Sequence, residues 1–447
     1  MYRFPKDLYA DIRLEDVFQT SIVYENGALT QNKTSREAGA FLRVWDGHRW
    51  YYSATTNLGH IQQELDALAS LATPNPAIGQ DPVVTRFEVN RDECLRYQDR
   101  DVRQVPNEEK AALLQSYLPV VTEVPEITNW RATYLDTYTE KRFWSSLGAD
   151  LHFDHQRASL VLGFTITAGN VPQTDSIHTY QTDFPSLAGR QEEMRQKITQ
   201  SLDYAKNAVP VVPGTYTCVF SPVTAGVFAH ESFGHKSEAD LMLGSETMMQ
   251  EWAIGTQVGS PILNILDSGL PEGSGYVPYD DEGTRTRTTY LIHNGILTGR
   301  LHSAATAALL NEEVTGNARA INFSYEPIVR MTATYIGGGE LTLEDLAAEA
   351  GLTPRYFCRV FRQVTGRSPI DYLNYYRIEC AAERLGTTGD SVTDIALACG
   401  FNDLSYFVKQ FRRYKGVSTR EYRRSSGKQD STENTEEKEG AEDTLCG

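Results

Sequence analysis

Two histidines stand five residues apart with a carboxylate beside the first, in the run His230-Glu231-Ser232-Phe233-Gly234-His235, and Glu238 and Asp240 follow closely. Imidazole nitrogens are common zinc ligands, and a carboxylate next to a ligand is placed to serve as a general base. Zinc pairs on a helix usually sit four apart on one face. At five apart the rings are about 140° around an ideal helix, so one ion takes both only if the turn is distorted. Gly234 supplies the place for such a distortion, as a π-bulge or a break, and these bulges gather at functional sites. On that reading His230 and His235 bind Zn²⁺ and Glu231 is the base acting on the water it activates. The alternative is a chance grouping of surface or core histidines.

A second acidic cluster, Asp280-Asp281-Glu282-Gly283, lies in a glycine-rich loop. It has the composition of a metal or substrate-amine site, and the expectation weighed against that is solvated loop charge. A third group of chemically competent residues is basic and lies downstream in a repeat. Ala347 and Gly351 recur as Ala396 and Gly400; Phe357, Phe361 and Gly366 recur as Phe407, Phe411 and Gly416. Each unit reads as a short helix, a turn at glycine, and a second helix anchored by two phenylalanines, the helix-turn-helix arrangement. With the phenylalanines inward, Arg355 and Arg359 in the first unit and Ser405 and Lys409 in the second point outward. Arginine reads guanine bidentately, lysine and serine reach base edges, and Arg362, Arg412 and Arg413 suit phosphates. The bland alternative is the solvated face of an ordinary helical bundle.

The elements that must position these groups follow from periodicity. A chain of 447 residues exceeds one ordinary core and predicts two or three domains. Strands are expected at Phe41 to Val44 and Trp50 to Ser53 around the Asp46-Gly47 turn, and from about Trp130 to Thr167. Helices are expected at Leu58 to Leu71, at Asn107 to Leu118 with Asn107 as cap, and at Gly189 to Ala208. Thr215 to Phe220 reads as a buried strand, and Ser221-Pro222 opens the helix that carries the two histidines. Ile262 to Asp267 is a strand, and Asn294-Gly295 joins a hairpin. Three glycines, Gly337 to Gly339, mark a boundary. Beyond it the pattern is helical, with capping signals at Thr342, Thr353 and Ser391. One linking helix runs from Ile370 to Leu385, with Tyr372, Leu373, Tyr376 and Cys380 inward.

Net charge is −17, unevenly spread: residues 341–426 carry +3 between an acidic body and an acidic tail. That asymmetry points to a nucleic-acid partner for the basic module. The tail, 427–447, has almost no apolar residues and is expected to be disordered. Six cysteines without regular spacing read as mostly buried thiols in a reducing compartment. With no membrane span or signal core, the chain is expected in the cytoplasm.

Residues 341–425 resemble the DNA-binding domain of AraC/XylS-type regulators, through Ile395-Ala-Leu-Ala-Cys-Gly-Phe-Asn-Asp-Leu-Ser-Tyr-Phe407, Phe411-Arg-Arg-Tyr-Lys-Gly-Val417 and Glu421-Tyr-Arg423. The resemblance implies sequence-specific binding of double-stranded DNA, two recognition helices entering successive major grooves. Residues 10–338 resemble the TldD/PmbA metallopeptidase family. The likeness is carried by Phe228 to Asp240, Tyr279-Asp-Asp-Glu-Gly283, Gly299-Arg-Leu-His302, Thr315-Gly-Asn-Ala-Arg319 and Pro327-Ile-Val-Arg-Met-Thr332. It implies zinc on His230 and His235, Glu231 as catalytic base, peptide substrates or ligands, and a homo- or heterodimer of related subunits. The family's Cys-Gly-Lys-x-Gly-Gln motif, whose cysteine is the third zinc ligand, has no counterpart here. Met331-Thr-Ala-Thr-Tyr-Ile336 runs straight into the helical module, and Cys446 lacks the matching context. Cys218, on the strand before the motif helix, and His302, on a hairpin, are the candidate substitutes, each read as structural.

The resulting expectation is an α/β (α+β) amino-terminal domain over 1–200, a partial metal-motif domain over 201–338, an all-α tandem helix-turn-helix domain over 339–426, and the tail. The function expected is that of a sequence-specific transcriptional regulator fused to a zinc-peptidase module short of one ligand. An active metallopeptidase with an appended DNA-binding domain is the alternative.

Overall fold

The computed structural model describes residues 2–425 except 169–171, 217, 219, 272, 274, 339–341, 388–389 and 402. The tail expected at 427–447 lies outside the described residues. The chain divides into two compact units, Met1–Gly214 with Pro222–Gly338, and Thr215–Ser221 with Gly339–Gly447. Among the described residues no helix is long and apolar enough to cross a membrane.

The first unit is built on long strands: β1 (Tyr9–Glu25), β2 (Ala28–Trp45), β3 (Trp50–Thr55), and, after helix α1 (Ile61–Leu71), the short β4 (Arg91–Cys94). Helices α2 (Asn107–Tyr117) and α3 (Pro119–Thr122) precede β5 (Ile127–Ser145), β6 (Asp150–Ile166), β7 (Gln173–Gln181) and helix α4 (Gln191–Asn207). The sheet runs β3-β2-β1-β5-β6, and β4 and β7 share the far edge of β6. All its pairs are antiparallel except β4 with β6. Alternation along the strands divides the two faces. On one, Ile22, Tyr134, Leu160 and Phe164 meet Leu114 and Tyr117 of α2 and Met194 and Ile198 of α4, and Ile12 and Leu42 meet Ile61, Leu65 and Leu68 of α1. Lys110 of α2 enters this core paired to Asp136 at 2.6 Å. Asn107 is the first residue of α2 rather than its cap, its side-chain amide given instead to Asn32.

The opposite face carries Tyr9, Asp11, Arg13 and Glu15 of β1, all buried. They are covered by a second layer: α5 (Pro222–Ala229), α6 (Glu246–Glu251), β8 (Ile265–Ser268), β9 (Thr288–His293), β10 (Ile296–Leu297), α7 (Ala304–Leu310), β11 (Ala318–Arg319), β12 (Ile328–Val329) and β13 (Thr334–Ile336). Its sheet runs β10-β9-β8-β13, with the β9–β10 hairpin turning at Asn294 and Gly295, both at positive φ. Asp280, Asp281 and Glu282 are buried here, which corrects the expectation of solvated loop charge. Asp281 pairs with Lys141 of β5 at 2.6 Å, and Glu282 with Arg43 of β2 at 2.8 Å. Arg43 also grips Asp11 and lies over the Trp50 ring. Burial alone would raise Asp281, but Lys141 and Arg13 hold its carboxyl well below the usual range, while burial and the neighbouring Glu282 push Asp280 well up. Gly283 turns at φ +77, where its bare backbone lies against the ring of Phe143.

The expected buried strand Thr215 to Phe220 is not one. Its described residues are exposed and in no strand, and 217 and 219 lie outside the described residues. β-branched composition favours a pleated surface, but the described residues join no ladder. The thiols are less buried than expected: Cys94, Cys358, Cys380 and Cys399 are half-buried and Cys218 is exposed.

In the second unit α8 (Leu343–Glu349), α9 (Pro354–Thr365), α10 (Pro369–Thr387), α11 (Val392–Ala398), α12 (Leu404–Lys415) and α13 (Thr419–Ser425) form two helix-turn-helix units. Thr342, Thr353 and Ser391 accept amides at the starts of α8, α9 and α11, as the sequence predicts. Gly351 and Gly400 turn at positive φ and Ala347 and Ala396 are buried. The inward face of α10 is Asn374, Ile378, Ala381, Ala382 and Leu385; Leu373 and Tyr376 are exposed, correcting the predicted phase. Asn374 is drawn inward by its bond to the Tyr406 hydroxyl at 2.8 Å.

Candidate metal centre and nucleic-acid interface

Helix α5 runs directly into five residues, His230–Gly234, in the π conformation. The amide of His235 donates to the carbonyl of His230, five residues back. The bond adds one residue to the turn, so side chains five apart come together. The two rings lie 4.7 Å apart, edge to face, and the ligand atoms of His230, Glu231 and His235 are all within 4.8 Å of one another. Gly234 fits this turn for a steric reason, since its φ of −60° suits any residue. A Cβ there would overlap the sulfur of Met331, a buried side chain packed against the turn.

His235 is held from behind. Its Nδ1 lies 3.2 Å from Oε2 of Glu238, a carboxylate only 1% exposed that also takes the Arg330 guanidinium (3.3 Å) and the Met331 amide (3.4 Å). With Nδ1–H given to Glu238, Nε2 keeps its lone pair for an ion; a carboxylate behind a ligand histidine fixes both ring and tautomer. The donor set therefore fits zinc in kind, with two imidazoles and an adjacent exposed carboxylate. Glu238 stood beside the motif in the sequence at three residues past His235, a spacing that signals this contact. Met331 and Arg330 carried no such signal.

Of the two substitute third ligands, His302 does not join the group. His302 is buried, with Nδ1 on Thr306 (3.1 Å) and Nε2 on Glu312 (2.9 Å), and burial outweighs Glu312 to lower its pKa. It is a structural histidine. Cys218 is exposed, its Sγ donating to the Tyr216 carbonyl at 3.9 Å. Among the described residues, the only cluster of three or more potential metal donors is His230, Glu231 and His235.

In the second unit Arg355, Arg359 and Arg362 on α9, and Ser405, Lys409, Arg412 and Arg413 on α12, are all exposed. Arg359 rests over the Tyr356 ring at 4.6 Å. Arg413 is engaged by Asp371 at 3.1 Å, and among the described residues it is the one of the seven tethered by a carboxylate. Phe407 and Phe411 are fully buried and Phe357 nearly so, which fixes the outward direction of both basic faces.

Such a two-layer unit with a paired-histidine turn, followed by a doubled helix-turn-helix, is a metallohydrolase-type module joined to a DNA-binding-type module. The comparisons with known proteins agree. Residues 10–73 match the model for PmbA/TldA metallopeptidase domain 1, 213–361 that for the PmbA/TldA metallopeptidase C-terminal domain, and 346–425 that for a helix-turn-helix domain. A metalloprotease of Synechocystis is 31% identical over 345 residues, covering 76% of this chain and 73% of that protein. A zinc metalloprotease TldD homolog of Saccharolobus solfataricus is 26% identical over 346 residues, covering 76% and 74%. The crystal structure of TldE from Thermococcus kodakarensis shares the fold, with a TM-score of 0.59 at 16% identity over 76% of this chain and 77% of that one. The chain belongs to the TldD/PmbA metallopeptidase family and carries an AraC-type helix-turn-helix domain after it.

Proposed function

We propose that the protein is a sequence-specific, DNA-binding transcriptional regulator of the cytoplasm. Its TldD-like module binds zinc and peptides and hydrolyses them poorly, if at all. The carrying observation is the pair of exposed recognition faces, Arg355 and Arg359 on α9 and Ser405 and Lys409 on α12, each set opposite buried phenylalanines. Such faces read base edges while neighbouring arginines hold phosphates. Selection of binding sites from random duplexes, followed by titration at several salt concentrations, tests it. The expected result is one enriched sequence and a steep linear fall of log affinity with log salt. No enrichment over bulk DNA refutes it.

The second reading, an active peptidase addressed to DNA, is favoured by the assembled His230, Glu231 and His235. The two histidines would hold the ion and Glu231 would accept a proton from the attacking water; zinc supplies Lewis acidity. It predicts about one zinc per chain and loss of peptide cleavage in Glu231→Gln. Absence of zinc after metal loading removes it.

A further inference from the structure

Two guanidinium groups, Arg157 on the face of the large sheet and Arg319 in the layer over it, have no carboxylate of their own. Arg157 lies on β6 two residues beyond His155, and both share the face of Phe153, which packs on Tyr279 at 5.8 Å. Arg319 hangs over the same region from β11. Its neighbours in sequence anchor it: Asp281 accepts the Ala320 amide at 2.8 Å and gives its own amide to Ala318 at 2.8 Å. The Asp281 carboxylate is in turn paired with Lys141, cross-strand from Phe153. Arg319 also donates to the carbonyl of Met331, the residue whose sulfur packs on Gly234 of the histidine turn. A continuous run of contacts thus joins the sheet floor to the metal centre.

Acids are near Arg319, but each is already engaged. Asp267 accepts from Thr332, Thr334 and Asn317; Glu238 from His235, Arg330 and the Met331 amide; Asp281 from Lys141 and Ala320. Among the described residues neither Arg157 nor Arg319 makes an ion pair, and Arg157 makes no hydrogen bond. Nδ1 of His155 is buried without a partner. Arg157 is exposed, and crowding by protein and the charge of Arg319 lower its pKa. His155 is kept neutral by burial and by the cations Lys141 and Arg157, so its ring can donate. Beyond Arg157 the same sheet face opens, with Gln19, Leu135 and Tyr180 exposed.

We infer that Arg157, Arg319 and His155 form a carboxylate-binding subsite beside the histidine turn, taking the free carboxylate of a peptide laid along the open sheet face. Two fork-shaped donors and a neutral imidazole with a vacant nitrogen match a planar, two-oxygen acceptor. The inference rests on the reading that this module takes peptides.

The test uses the full chain freed of metal by chelation, with acetyl-tetraalanine as the acid and as its carboxy-terminal amide, measured by calorimetry. The acid is expected to bind about tenfold more tightly or better, the worth of a charge-assisted bond in a partly enclosed site. In Arg157→Gln, a substitution at a side chain with no hydrogen bond to lose, the preference should vanish. A glutamate-containing peptide amide that binds as well as the acid would place a side-chain carboxylate in the same subsite and support it. Equal binding of acid and amide, binding of neither, or a preference that survives Arg157→Gln overturns the inference. Zinc content is read separately: acid preference without zinc keeps the subsite and loses the peptidase reading, and zinc without preference does the reverse.

Discussion

Replacing Gly234 with alanine isolates the geometry that makes the metal centre. In an unhindered helix the change stabilises, by about 1 kcal/mol, because alanine is the better helix former. Here the added Cβ would overlap the Met331 sulfur and lie 3.3 and 3.4 Å from its Cε and Cγ. Met331 is held at both backbone ends, its amide on Glu238 and its carbonyl under Arg319, so only its side chain can yield. Overpacking a filled site costs about 1–3 kcal/mol, which outweighs the helical gain. The net expectation is a loss of up to about 2 kcal/mol in urea unfolding. Zinc affinity, read by competition with a chromophoric chelator, should fall about 10- to 100-fold, as when the support of a ligand is displaced. Met331→Ala combined with Gly234→Ala should recover at least about 1 kcal/mol relative to the sum of the single changes. A Gly234→Ala protein as stable as the parent with unchanged zinc affinity, or strictly additive losses, refutes the reasoning.

Arg43→Met leaves Asp11 and Glu282 buried without their cation, and a loss of about 3–5 kcal/mol is expected in urea unfolding; a change under about 1 kcal/mol contradicts the network. His155 has a folded pKa well below its ordinary value because of burial and then the nearby cations, so the unfolded chain binds the extra proton. Its contribution is present above about pH 6.5 and is lost as pH falls toward the folded pKa, at up to about 1.4 kcal/mol per pH unit. His155→Gln should flatten the stability profile by that share, and identical slopes below pH 6.5 would exclude it. On DNA, Arg359→Ala should cost about 1–3 kcal/mol against the selected site only, whereas Arg412→Ala should weaken all sequences and reduce the salt slope by about one. Anisotropy titrations on selected and scrambled duplexes separate the two.

The helix-turn-helix units were legible because every signal in them is local: Thr342, Thr353 and Ser391 cap within three residues, and Gly351 and Gly400 turn on themselves. The widened turn was also legible, since histidines five apart cannot otherwise converge. What sequence could not show was anything settled by distant partners. Asp281 and Glu282 read as surface charge because Lys141 and Arg43 are over a hundred residues away in the chain. Thr215 to Phe220 read as a strand because propensity cannot tell whether a neighbouring strand exists. On α10 an apolar count chose Leu373 and Tyr376, and the structure instead turned the helix by one residue to bring Asn374 to Tyr406. Arg319 was marked only as the end of the Thr315 to Arg319 motif, and Arg157, on a distant strand, had no local mark at all.

The buried ion cluster between the layers has a consequence for how the first unit opens. Arg13, Arg43 and Lys141 belong to the sheet, and their counter-charges Asp281 and Glu282 belong to the layer with the histidine turn. Peeling one layer away would leave Arg13, Arg43 and Lys141 with only Asp11 and Glu15 of the sheet to share, and Asp281 and Glu282 with no cation, in a low-dielectric surface. Partial detachment is therefore costlier than its apolar area suggests, and the two layers form one foldon. Amides of β9 and of β1 should exchange with solvent in a single event, so the two histidines stay in register for as long as the large sheet stays folded.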